Sequence, residues 1–127
     1  MRLPSVDQDG WCLEDGEEIH AEHSDTFWMP SLEARLGLYP GFLVKLMFYI
    51  DGAHGGVERM WVVVRDRLAD GEAYLGVLDN TPHSQNAPDR LEAGFEIPFE
   101  PRHIIDVDQP DDATMAIAQA VPTRRWS

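Results

Sequence analysis

Three groups of side chains in this sequence are of types and spacings that do chemistry or recognition. The first is Asp79–Asn80, set where the apolar run AYLGVL (73–78) meets Thr81 and Pro82. A carboxylate and an amide at a strand end can hold a ligand or a partner's main chain. The same pair also turns a chain by bonding its own backbone. The second is Arg59, Trp61 and Arg65, which alternate with Met60, Val62 and Val64 in VERMWVVVR. With the aliphatic set pointing inward, an indole flanked by guanidinium groups faces outward, and these residue types anchor interfaces. The alternative is that a neighbouring segment covers Trp61 and makes a second small core. The third is His20 and His23, one helical turn apart in HAEH with Glu22 and Asp25 close by. That spacing can hold a metal. His54, His83 and His103 fall at no ligand spacing, however, and an i, i+3 pair in a polar segment is ordinarily solvated. No metal or cofactor is expected.

Signatures of catalysis are weak. There is no GxSxG and no HExxH, and DGAHGG (51–56) lacks the Lys-Ser/Thr of a phosphate loop. Cys12 has no sequence neighbour that would activate it, and as the single cysteine it excludes an internal disulfide and a Cys-only zinc site. Paired acids such as Asp79 with Glu58 do acid–base work only in a cleft that raises one pKa. An enzyme is therefore the less favoured reading, with no catalytic residue assigned.

Charge narrows the partners. Against 23 Asp plus Glu stand 10 Lys plus Arg, a formal net of −13, beyond the roughly 2–8 charges that keep a small domain soluble. Such a field repels phosphate backbones and steers a basic protein inward, so no nucleic-acid binding is expected. The start, MRLPSVDQDGW, lacks a signal peptide's apolar run, and the longest apolar stretch, Phe42 to Ile50, is interrupted by Lys45. The expectation is a cytoplasmic protein with no membrane contact.

The elements that must position these groups follow from periodicity. FLVKLMFYI (42–50) places Val44, Leu46, Phe48 and Ile50 on one face, and VERMWVVVR (57–65) does the same for Met60, Val62 and Val64. EAYLGVLD (72–79) is a third strand after an Asp70–Gly71 turn, with Gly76 marking a bulge, a bend or a close backbone approach. RLEAGFEIPF gives a fourth around Phe95, Ile97 and Phe99, with Pro98 suited to a sheet edge. Ile104, Ile105 and Val107 form a short last strand, or a turn leading into one. TFWMP (26–30) is a short β-prone piece. Ser31 caps a helix carrying Leu32, Leu36 and Leu38, and Asp111 or Asp112 caps a second one before a loosely held end. Short turns between successive strands favour antiparallel pairing. The expected fold is mainly β (α+β): a small SH3-like, partly open antiparallel β-barrel with short N-terminal and C-terminal helices. Its parts are an acidic arm (1–24) with Trp11 and Leu13 as anchors, a barrel domain (25–107) and a helical tail (108–127).

PGFLVKLMF, ERMWVVV, YLGVLDNTP and FEIPFEPRHIIDV together resemble the bacterial YegJ-like domain family, whose function is unknown, over about residues 25–107. The resemblance implies a small cytoplasmic bacterial protein, distantly similar to immunity proteins of polymorphic toxin systems, and supplies no catalytic residues. The functional expectation is a protein-interaction module occluding a basic partner. A small-ligand-binding protein or small enzyme using the Asp79–Asn80 loop is the alternative.

Overall fold

The alternation between residues 42 and 99 becomes a curled antiparallel sheet in the computed structural model, which describes residues 1–52, 56–83 and 90–127. Strand β2 (Leu43–Ile50) pairs along its length with β3 (Gly56–Leu68), β3 pairs with β4 (Ala73–Leu78), and β4 with β5 (Glu96–Phe99). The other edge of β2 is shared. Its first half pairs with β6 (Ile104–Asp108) and its second half with β1 (Trp11–Leu13). Strands β5 and β6 close toward each other through a 3₁₀ turn, Pro101–His103, without pairing, so the barrel is partly open.

Cross-strand register explains the core. Val44 faces Val62 and Leu46 faces Met60 across β2 and β3, and these four join Phe48, Ile50, Val64, Tyr74, Ile97, Phe99 and Ile104 in one buried cluster. Period-two spacing buries one face of each strand, and pairing brings those faces together.

Gly76 sits opposite a bulge. Val64 pairs with Gly76 and Asp66 with Leu75, which leaves Arg65 as the extra residue. A Cβ on Gly76 would lie 2.5 Å from Val62 Cγ1 and 2.6 Å from the Val63 carbonyl oxygen, so β3 and β4 approach too closely there for any side chain. Asp70 and Gly71 form the expected turn, with φ of 56° and 93°.

Several segments depart from expectation. Residues 1–24 are more than an arm, holding α1 (Val6–Asp9), β1 and α2 (Gly16–Glu22), while Trp11, an expected anchor, is 2% exposed with its ring 5.6 Å from that of Phe48 in the main core. The arm thus supplies an edge strand, because β2 needs a partner there. TFWMP is not a strand: Thr26 and Phe27 donate to the His23 carbonyl in a turn that ends α2. Helix α3 (Leu32–Leu36) is capped by Ser31 as expected, yet Leu32 is 52% exposed and the buried side chain is Arg35. Its guanidinium donates to the Pro30 and Pro101 carbonyls and pairs with Glu17, which satisfies the charge inside. Helix α4 (Asp112–Gln119) is capped by Asp111 and lies on β3 and β4.

The final residues are tied down as well. Thr123 N–H donates to the Gly94 carbonyl, Glu96 N–H to that of Arg124, and Trp126 packs edge-on against Trp11 at 5.8 Å. No helix among the described residues is long and apolar enough to cross a membrane.

Replacing Gly76 with alanine forces β3 and β4 apart at the bulge. Urea unfolding should show a loss of about 1–3 kcal/mol, as overpacking does elsewhere.

Candidate functional site

The two recognition groups read from the sequence meet at one backbone segment. Asp79 N–H donates to the Trp61 carbonyl at 2.9 Å, and Trp61 N–H donates to Asn80 Oδ1 at 2.5 Å. Past the end of β4 the Asn80 amide continues the ladder that the main chain can no longer supply. Its oxygen is therefore committed to β3. Asp79 is exposed, but desolvation of its carboxyl, with the charge of Asp111 second, pushes its pKa above the ordinary aspartate range.

Arg59, Trp61 and Arg65 share a strand but not a platform. Arg59 is exposed, with its guanidinium 5.9 Å from the Phe27 ring centre. Trp61 is half-buried, and its ring takes the ammonium of Lys45 at 4.8 Å, the residue paired with it across β2. Arg65, displaced by the bulge, donates to the Ala120 carbonyl at 3.3 Å and lies 3.7 Å from Glu96. It staples the C-terminal segment to the sheet. Helix α4 packs against β3 and β4, and on β3 Val63 is buried and Trp61 half-buried.

The remaining candidates are spent locally. Among the described residues, no group of three or more His, Cys, Asp or Glu side chains is placed to hold a metal; His54 lies outside them. His20 Nδ1–H donates to the Phe27 carbonyl at 2.6 Å. Burial pushes the Cys12 thiol up, with the charge of Glu14 adding to it, opposite to what a thiolate nucleophile requires. His103 is buried and accepts the Glu100 N–H at Nδ1, 2.9 Å away, so the neutral ring carries its proton on Nε2. Burial, and then the charge of Arg102, lower its pKa to about 4.

Two clefts, of about 400 and 420 Å³, lie away from the Asp79–Asn80 loop. The first opens between the chain ends, beside Trp11 and Trp126; the second runs between α3 and Phe42. Trp28 is a further candidate that strand periodicity does not select. It is 69% exposed on the segment joining α2 to α3, and the available signal was a tryptophan inside a run that carries five acids (Glu17, Glu18, Glu22, Asp25 and Glu33). No protein-family model, curated protein or solved structure matches the chain.

Two outcomes follow from these contacts. Asn80→Ala leaves the Trp61 N–H without its acceptor and should cost about 1–2 kcal/mol in chemical unfolding, with Asn80→Asp recovering part of it. Because His103 titrates at about 4 when folded and near 6.5 when not, the unfolded chain binds the extra proton in that interval. The stability held by this group is complete above pH 6.5 and falls as pH drops toward 4, by up to about 3 kcal/mol. Unfolding curves of wild type and His103→Asn across this range should differ in slope, the variant being flatter.

Proposed function

We propose that this protein is an interaction module that docks and occludes a basic protein partner, in the manner of an immunity protein, and is not an enzyme. The observation that carries this reading is Trp28, an indole 69% exposed on an acidic segment. Tryptophan is among the commonest binding hot spots, and an exposed indole offers such an anchor. Residues 14 to 33 carry seven carboxylates (Glu14, Asp15, Glu17, Glu18, Glu22, Asp25 and Glu33) and no Lys or Arg. Asp15 and Glu17 are paired with Arg102 and Arg35, and the other five draw a cationic surface to this end of the molecule, where it meets an aromatic anchor.

The Arg59–Trp61 surface adjoins it, because Arg59 lies over the ring of Phe27, the residue next to Trp28. The docking surface is accordingly centred on Trp28, with Arg59 and Trp61 at its side. The YegJ-like resemblance points the same way, through its distant likeness to immunity domains. A small ligand or an enzymatic reaction at the Asp79–Asn80 loop has less support, since the Asn80 oxygen holds β3.

Affinity capture from native lysate at about 50 mM and about 300 mM salt tests the proposal, with Trp28→Ala and Trp61→Ala chains alongside. A retained protein of basic pI, released at the higher salt and weakened by about 2 kcal/mol in Trp28→Ala, is expected. Equal retention by Trp28→Ala, or partners that are themselves acidic, would refute it.

A further inference from the structure

Four of the ten basic residues of this acidic chain line a single cleft. The cleft, about 400 Å³, carries Arg2, Arg90, Arg124 and Arg125 on its walls beside Trp11 and Trp126. Four carboxylates line it as well: Asp7, Asp9, Asp51 and Glu96. What distinguishes the site is how these charges are paired.

Arg2 takes Asp9 through two bonds of 2.8 Å and lies over the Trp126 ring at 4.2 Å. Glu96, only 6% exposed, accepts the Trp126 N–H with one oxygen and places the other 3.7 Å from Arg65 and 4.0 Å from Arg125. Those acids are occupied in holding the two chain ends together. Arg90 is held differently. Its guanidinium donates to the Gly10 and Asp51 carbonyls, at 3.3 and 3.1 Å, and ion-pairs with no carboxylate among the described residues. A Cβ on Gly10 would collide with it, so the absent side chain makes room for it.

Carbonyls orient a guanidinium without neutralising it. Among the described residues Arg90 is thus a cation fixed through Nη1 alone at the wall of a concave site. Arg125 adds a second guanidinium, 60% exposed, whose ion pair with Glu96 is stretched to 4.0 Å. Carboxylates outside the cleft are screened beyond roughly 8 Å at physiological salt, and of the four inside it Asp9 is bonded to Arg2 and Glu96 is buried. We propose that this cleft binds a small oxyanion-bearing ligand, a phosphate or carboxylate compound, between Arg90 and Arg125. A volume of this size admits a metabolite rather than a bare ion alone. The site is separate from the Trp28 surface, so either reading can fail without the other.

Calorimetric titration of the full chain with inorganic phosphate and with citrate tests it. Saturable binding of one ligand per chain by either anion supports the site. Phosphate alone would assign the ligand to phosphoryl compounds, and citrate alone to carboxylates. Arg90→Gln and Arg125→Gln should each weaken binding at least about tenfold, as loss of a charge-assisted bond does. Arg90 also steadies Gly10 and Asp51, so thermal unfolding of each variant is measured in parallel. Arg125 is exposed, and its variant carries the test if Arg90→Gln does not fold. Failure of both anions to saturate by about 10 mM, or unchanged affinity in Arg125→Gln, overturns the proposal.

Discussion

Strand β2 has two edges and only one of them is satisfied by β3. Every backbone N–H and C=O on the remaining edge needs a partner, since an unpaired buried group costs about as much as a lost hydrogen bond. Two separate segments fill it: β6 pairs with residues 43–46 and β1 with residues 48–50. The rest of the molecule follows from this division. It draws residues 11–13 into the sheet, which brings Trp11 into the core. It also sets β6 opposite β5, so that a 3₁₀ turn must link them and the seam stays open.

The few cations of the chain are used chiefly as staples for irregular backbone. Arg35 gathers the carbonyls of Pro30 and Pro101, and Arg67 those of Leu36, Leu38 and Asp70. Arg102 bridges Asp15 and Glu100 across the barrel closure, while Arg65 pins the segment after α4. A fork of donors suits loop carbonyls that no strand can reach. Two of these staples, Arg35 and Arg102, also pair with Glu17 and Asp15 of the α2–α3 end. In the cleft between the chain ends Arg90 is likewise oriented by carbonyls.

How much was legible varied with the range of the interaction. Val44, Leu46, Met60 and Val62 declared their strands and inward face, because period-two spacing is a local property. Ser31 and Asp111 declared their helix starts for the same reason, each bonding a backbone N–H three residues on. Gly76 announced a crowded position, which proved to be a close approach opposite a bulge. Arg65 is engaged by the Ala120 carbonyl, 55 residues away in the chain, so nothing local announced its role. Asn80 reads first as a turn and only second as a site; its partner, the Trp61 N–H, lies 19 residues away in the chain.

The sequence by itself determined the strands, their apolar faces, the helix caps and the acidic character, all carried by residues a few positions apart. Only the tertiary structure decided that Trp11 belongs to the core, that Arg35 goes in while Leu32 stays out, and that four arginines share a cleft at the chain ends. Those outcomes depend on which segment completes the open edge of β2 and on which carbonyls are left over, and backbone satisfaction is a property of the whole chain rather than of any stretch of it.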